Sequence, residues 1–373
     1  MLRIDAKLTL DDFKYEADFS AGNELVVIFG PSGAGKSMTL NILAGLVRPD
    51  SGVVKAGDRV LFDSTDRIDL SPQQRLVGYV FQDYALFPHL TVAKNVAFGL
   101  AHLDRAEKEK RVAEMLSLMR LERLGDSYPD RLSGGQRQRV ALGRALVTEP
   151  SMLLLDEPFS ALDSAVREKL RGDLINIKER YDIPIVFVTH DLEEAYMLAD
   201  RMVVFDRGRV LQVGTRDDVF FRPNGRTVAR FVGAKNIFSG RVSATNGSQC
   251  RIATDRFEVT APSNALSLGD EVEFCIRPEE IMIVRPDREL NAQVEANVLE
   301  GQIVSASRRG ATYQLEFLLN NGEAKAAEDN FDFTIRIPAH AYQRLGLSLG
   351  CATKVSLKKP AIHLLSKEST PHD

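Results

Sequence analysis

Eight residues, Gly30-Pro31-Ser32-Gly33-Ala34-Gly35-Lys36-Ser37, constrain this chain more than any other stretch. They fit G-x-x-x-x-G-K-[ST], a loop whose backbone N–H groups cradle phosphate. The context agrees. Leu25-Val26-Val27-Ile28-Phe29 is a continuous apolar run, as in a buried parallel strand, and Ser37 to Gly45 reads as the start of a helix. Strand, glycine loop and helix together aim N–H groups at an anion. Lys36 is placed to reach the β- and γ-phosphates, and the Ser37 hydroxyl suits Mg²⁺. The alternative, a glycine turn that binds nothing, loses ground with each motif downstream.

Length and composition set outer bounds. A chain of 373 residues has room for two or three domains. It is 44% apolar and 27% charged with a net charge of −4, a balance that does not suggest a nucleic-acid partner. Cys250, Cys275 and Cys351 are far apart and form no CxxC pair, so they read as small core residues compatible with a reducing compartment. No apolar stretch nears the ~20 residues needed to span a bilayer. Met1-Leu2-Arg3-Ile4-Asp5 lacks a signal-peptide core. A role at a membrane therefore requires other chains to do the crossing.

Residues 1–24 alternate modestly and predict one or two edge strands. Phe13 or Tyr15 there is either an adenine platform or a half-buried strand aromatic, and neither is taken as a site. Val53-Val54 and Val60-Leu61-Phe62 predict a small antiparallel segment. Leu76 to Phe81 predicts a strand ending at Gln82, where the amide either touches a metal or water or simply caps the strand. Residues 91–150 read as mostly helical, with Val112, Met115, Leu116 and Met119 forming a core stripe. Leu132-Ser133-Gly134-Gly135-Gln136 then opens a helix. A serine there is an ordinary N-cap, but two glycines weaken a first turn. They make sense if the backbone must approach a ligand closely, at a helix end that favours anions.

Met152 to Leu155 is a buried strand ending in Asp156-Glu157. An acid at the end of such a strand, beside a phosphate loop, suits Mg²⁺ through water. The next acid is placed to polarise a water. Ser160-Ala161-Leu162-Asp163 precedes a helix running to Tyr181. Ile185 to Thr189 is a further parallel strand with His190 at its end, the face where open α/β sheets bind ligands. Val203-Val204-Phe205 and Val210 to Gly214 predict a hairpin around Asp206-Arg207-Gly208.

The order Gly30–Ser37, Gln82, Leu132–Gln136, Met152–Glu157, Ser160–Asp163, His190 resembles the ATP-binding subunit of an ABC transporter across about residues 1–235. These stretches match its Walker A, Q-loop, signature, Walker B, D-loop and H-loop. The resemblance implies an α/β P-loop NTPase domain over 1–235, with a helical subdomain at about 91–150. It implies ATP and Mg²⁺, and a head-to-tail homodimer in which Ser133, Gly134, Gly135 and Gln136 close the partner's site. Gly30, Pro31, Ser32, Gly33, Ala34, Gly35, Lys36, Ser37, Met38 and Gln82 would bind ATP. Ser37, Gln82 and, through water, Asp156 would hold Mg²⁺. Glu157, His190 and Lys36 would be catalytic, and Asp163 would couple the two sites. Residues 83–100, with Tyr84 to His89 among them, resemble the surface that accepts a coupling helix from the membrane permease. Implied partners are the integral-membrane permease subunits and, indirectly, an extracytoplasmic solute-binding protein. The implied place is the cytoplasmic face of the inner membrane.

Beyond 235 the character changes to short alternating strands, predicting an all-β region of small barrel-like units over 236–373, divided at about 236–288 and 291–366. This is similar to the oligonucleotide-binding-like (TOBE) region of importer ATPases, and Arg277-Pro278-Glu279 fits it. The stretch holds 15 Lys/Arg against 18 Asp/Glu, so no basic groove for nucleic acid is expected. Phe274 and Phe317 read as core, and Lys367 to Asp373 as a frayed end. Within the family, Ile68 to Arg75 and the two-unit tail look most like molybdate or tungstate importers. Sulfate, ferric iron, polyamine and sugar importers are close. A soluble ABC ATPase of translation or DNA repair is remote, because one P-loop is present and the span from Lys36 to Ser133 leaves no room for a long coiled coil.

Overall fold

The computed structural model describes residues 1–160, 162–263, 266–285, 297–320 and 331–366, with only the backbone at Ser164. Ala161, the predicted start of a second tail unit at Asn291, and the end from Lys367 to Asp373 lie outside them.

The chain forms two compact units, Met1–Asp217 and Asp218–Asp373. The division lies upstream of the boundary expected at 235. Residues beyond 217 pack with the tail: Arg277 donates to Phe220 O and Val232 O, and Ala229 and Ala234 share an apolar cluster with Cys275 and Leu365.

The first unit is built on an eleven-stranded sheet. Its strands are β1 (Leu2–Leu10), β2 (Phe13–Ala21), β3 (Leu25–Phe29), β4 (Ser51–Ala56), β5 (Arg59–Asp63), β6 (Ile68–Asp69), β7 (Val77–Val80), β8 (Met152–Asp156), β9 (Ile185–Thr189), β10 (Arg201–Asp206) and β11 (Arg209–Thr215). The spatial order is β6-β5-β4-β1-β2-β11-β10-β3-β9-β8-β7. From β10 to β7 every neighbouring pair is parallel. β3 and β9 are buried along their whole length, which explains their unbroken apolar runs. β1 and β2 are not edge strands. Their alternation reflects one face on the core, and β4 and β11 flank them on either side. The predicted hairpin forms between β10 and β11, with Arg207 and Gly208 both at positive φ in its turn. Helices Val92–Val96, Arg105–Leu118 and Gly134–Leu146 fill the stretch that reads as helical, and Val112, Met115, Leu116 and Met119 are buried.

The second unit holds two five-stranded sheets over one apolar core that contains Phe274 and Phe317. One sheet runs Glu258–Pro262, Gln249–Ala253, Asn236–Thr245, Glu271–Ile276, His363–Leu365. The other runs Ile281–Ile283, Ala352–Leu357, Val298–Arg309, Thr312–Leu319, Phe333–Pro338. The expected division near 290 is crossed twice. Ile281–Ile283 joins the later strands, and His363–Leu365 joins the earlier ones. Two buried asparagines stitch the sheets. Asn236 bonds Ile276 O and both backbone groups of Thr334, and Asn297 bonds Leu357 O and both backbone groups of Thr260. Buried amides with every group matched fix a register as well as adding stability.

Candidate functional site

The C-terminal ends of β3, β8 and β9 bring the candidate residues together. Gly30 closes β3, where a side chain would strike Phe205 O. Gly33 and Gly35 sit at φ +80° and +99°, the left-handed region open to glycine. The helix Lys36–Ala44 then starts with no side-chain cap and no acid in its first turn. Its N–H groups are left for an anion. Pro31, Ser32 and Gly33 are exposed, Ala34 is buried, and Met38 packs beside the core.

Lys36 is buried, and its ammonium donates to Gly30 O at 2.9 Å and Pro31 O at 2.8 Å. Burial pushes its pKa down, opposed by Glu157 and Asp156. A buried cation resting on loop carbonyls fits a site completed by phosphate.

Ser37 Oγ donates to Asp156 Oδ1 at 2.9 Å. Burial raises the Asp156 carboxyl, Ser37 draws it down, and Glu157 beside it pushes it up again. A hydroxyl and a carboxylate are hard oxygen donors of the kind Mg²⁺ prefers, and Mg²⁺ keeps waters and phosphate oxygens in its other positions. No cluster of three His, Cys, Asp or Glu suited to a metal occurs among the described residues. The donor set therefore fits an ion shared with a nucleotide, not an all-protein cage. Gln82 lies exposed just past β7.

Glu157 adopts φ +41°, and its N–H donates to Val188 O at 3.1 Å on the neighbouring strand. His190 Nδ1 lies 3.1 Å from Glu157 Oε1. The two pair in the lining of a small pocket that Ser160, Arg167, Thr189, Asp191 and Glu194 complete. Sequence reasoning passed over Arg167 and Glu194. Their only sequence signal is charge at positions close behind Asp163 and His190.

Ser133 and Gln136 form a capping box at the start of Gly134–Leu146: Gln136 N donates to Ser133 Oγ at 3.3 Å, and Ser133 N donates to Gln136 Oε1 at 2.9 Å. Gly134 and Gly135 have a reason within the chain that differs from ligand approach. A Cβ on Gly134 would come within 2.8 Å of Leu162, and one on Gly135 within 2.7 Å of Val166. Asp163 caps the helix Ser164–Arg180, accepting from Val166 N at 3.0 Å. Among the described residues no hydrogen bond joins Ser133–Gln136 to Lys36, Ser37, Asp156, Glu157 or His190. Tyr15 is buried with its hydroxyl bonded to Thr39 at 2.8 Å, so it cannot offer a ring face to adenine. Phe13 remains half-buried with its ring edge beside Gly35.

Comparison with known proteins points to one family. The family model for ABC transporters matches residues 16–160. The sulfate/thiosulfate import ATP-binding protein CysA of Caulobacter vibrioides is 41% identical over 334 residues, covering 86% of this chain and 92% of that protein. The molybdate/tungstate import ATP-binding protein WtpC of Archaeoglobus fulgidus is 44% identical over 236 residues, covering 63% of this chain and 95% of that protein. Among solved structures, the dimeric ATP-binding cassette MJ0796 with ADP and Pi matches 58% of this chain and 99% of its own, at a TM-score of 0.50 and 31% identity. A P-loop sheet carrying these motifs in this order, and likeness running through nearly all of an import subunit, place this chain in the ABC transporter family, among the ATP-binding subunits of importer type.

Proposed function

We propose that this chain hydrolyses ATP with Mg²⁺ at a homodimer interface to drive import of a tetrahedral oxyanion, sulfate or thiosulfate ahead of molybdate. The Caulobacter sulfate/thiosulfate relative carries this cargo reading, because the likeness to it extends over 86% of the chain and so into the second unit. The sequence motifs lean to molybdate, and the molybdate/tungstate relative supports that over a shorter span.

In this reading Lys36 leaves the carbonyls of Gly30 and Pro31 for the phosphates, while the loop amides hold their oxygens. Ser37, Gln82 and, through water, Asp156 would hold Mg²⁺, which offsets charge on the phosphate oxygens. Glu157 orients the attacking water, and His190 braces Glu157 and faces the γ-phosphate. Ser133–Gln136 would close the partner's site, and Asp163 would couple the two. Catalysis of this kind is chiefly positioning and charge stabilisation. Residues 1–235 would act as the ATPase domain and the following β region as a regulatory or dimerisation module. No helix among the described residues is long and apolar enough to cross a membrane. Integral-membrane permease subunits would carry the cargo, fed by a solute-binding protein, with this chain on the cytoplasmic face of the inner membrane.

The test is uptake by the assembled transporter in vesicles loaded with ATP. Labelled sulfate entering, with molybdate a weak competitor, is expected. Selective uptake of molybdate would reverse the order of cargoes. ATP-independent behaviour, or recovery of the chain with ribosomes in place of a permease, would overturn the reading.

A further inference from the structure

Arg167 stands in the first turn of the helix that Asp163 caps. Its Nη2 donates to Leu162 O at 3.1 Å, inside the segment that carries Asp163. Its Nη1 lies 3.4 Å from Asp191 Oδ2, and its Nε lies 3.7 Å from Glu194 Oε1. One guanidinium therefore spans two elements: the segment ending at Asp163, and the helix Leu192–Leu198 that follows His190.

Glu194 completes the network from the other side. Its side chain is only 6% exposed, and its Oε2 accepts from Thr189 Oγ1 at 2.7 Å. Thr189 Oγ1 in turn accepts from Asp191 N at 3.0 Å. Arg171 Nη2 adds a second cation 3.8 Å from Glu194 Oε1. The residues on both sides of His190, Thr189 and Asp191, are thus tied to Arg167 and Glu194. His190 itself is bonded to Glu157.

Exposed ion pairs contribute little, but a carboxylate as buried as Glu194 is destabilising unless it is matched. Such a pair is kept where geometry matters. The pair also has slack. The Nε atoms of Arg167 and Arg171 are buried and make no hydrogen bond. The 3.7 Å and 3.8 Å separations are ion-pair contacts beyond hydrogen-bond reach. Contacts around a catalytic group are often long before the reacting complex forms, and shorten in it.

We infer that Arg167 and Glu194 are positioning residues that set His190 against Glu157 and fasten the Asp163 segment to that same unit. The inference rests on the proposed ATPase role. When the site closes, the guanidinium tightens onto Glu194 and Asp191, and the movement of the Asp163 segment reaches His190 through side chains already in register. Neither residue touches the nucleotide.

The test uses the assembled transporter carrying Arg167→Met, Glu194→Gln, both together, or Arg167→Lys. Steady-state kcat and KM for ATP, the pH–rate profile and thermal unfolding are read for each. Each single variant should lose about ten-fold or more in kcat, as small displacements of catalytic groups do. KM should stay within about two-fold, since phosphate binding is left alone. The double variant should be no worse than about the poorer single one, because both act through one connected network. The pH–rate profile should shift, and Arg167→Lys should restore part of kcat. An unchanged kcat, additive losses, or losses that follow the unfolding temperature would overturn the inference. If Arg167→Met does not fold, Glu194→Gln keeps size and the Thr189 bond and decides the matter with Arg167→Lys. Absence of hydrolysis in the wild-type transporter would instead sink the ATPase reading.

Discussion

The Ser37 hydroxyl and the Asp156 carboxylate meet at 2.9 Å across the gap between the phosphate loop and β8. The bond does two things. It keeps the two oxygens side by side, as the proposed Mg²⁺ site requires, and it steadies the charged form of a carboxyl that burial pushes toward the neutral one. Ser37→Ala removes both. The Mg²⁺ concentration for half-maximal hydrolysis should rise about ten-fold, the lower end for loss of such a partner. Protons then compete with the ion at higher pH, so the shortfall should widen as pH falls. A magnesium titration at two pH values checks this, and an unchanged midpoint at both would contradict it.

Glu157 is held in a left-handed backbone conformation, its N–H anchored on Val188 and its carboxylate on His190. Such strain in a non-glycine residue persists where the surroundings impose it. Glu157→Gln keeps the shape and removes the charge that, in the proposed role, would orient water. Hydrolysis should fall by about a hundred-fold or more, while ATP remains bound and holds two chains together. Size-exclusion chromatography with ATP should give a dimer. An ATP-loaded variant that elutes as a monomer would refute the shared-site reading.

Much of the site was legible because its motifs are local. The glycine loop, Asp156-Glu157 and His190 each follow an apolar run, and a run that ends beside a phosphate loop announces its own C-terminal edge. What was not legible depends on partners distant in sequence. The glycines of the signature pack on Leu162 and Val166, which nothing near residue 134 foretells. β1 and β2 alternate like edge strands, yet sit between β4 and β11, because alternation reports a face and not a place in the sheet. Ile281–Ile283 and His363–Leu365 exchange sheets, and three-residue strands carry too short a pattern to reveal their pairing. Cys250 and Cys275 are buried as read, while Cys351 is only half-buried.

Arg75 is the largest fully buried side chain among the described residues, and its charge gives no hint of that in the sequence. Its Nη1 donates to Ile42 O at 2.6 Å and Leu43 O at 3.2 Å, and its Nε to Leu70 O at 2.8 Å. Asp69 lies 3.3 Å from its Nη2. It thus satisfies carbonyls in the last turn of the phosphate-loop helix, ahead of Gly45 at φ +77°. Arg75→Met would take this donor from Leu43 O and Leu70 O and leave Ile42 O only the Gly45 N–H, and should cost about 3 kcal/mol. Arg75→Lys should recover little, since one ammonium cannot reproduce the fork. Urea unfolding measures both. A loss under about 1 kcal/mol for the methionine variant would show that the carbonyls find other partners.

In the second unit, His363 Nε2 lies 3.0 Å from Pro223 O, and a carbonyl only accepts, so this nitrogen carries a proton whether the ring is neutral or charged. Burial holds the His363 pKa below its ordinary value of 6.5; the Pro223 bond opposes this and Arg222 reinforces it. The folded chain therefore binds fewer protons here than the unfolded chain, from 6.5 down to the lowered folded value. Stability rises with pH wherever the unfolded state holds the extra proton. The contribution of His363 is present above 6.5 and is lost as pH falls through that window. Thermal unfolding of the full chain between pH 7.5 and 5.5 should show the transition of the second unit moving down on acidification. His363→Gln, which can keep a donor on Pro223 O but does not titrate, should flatten that slope while lowering the midpoint at neutral pH only slightly. Equal slopes in wild type and variant would assign the acid sensitivity to other groups.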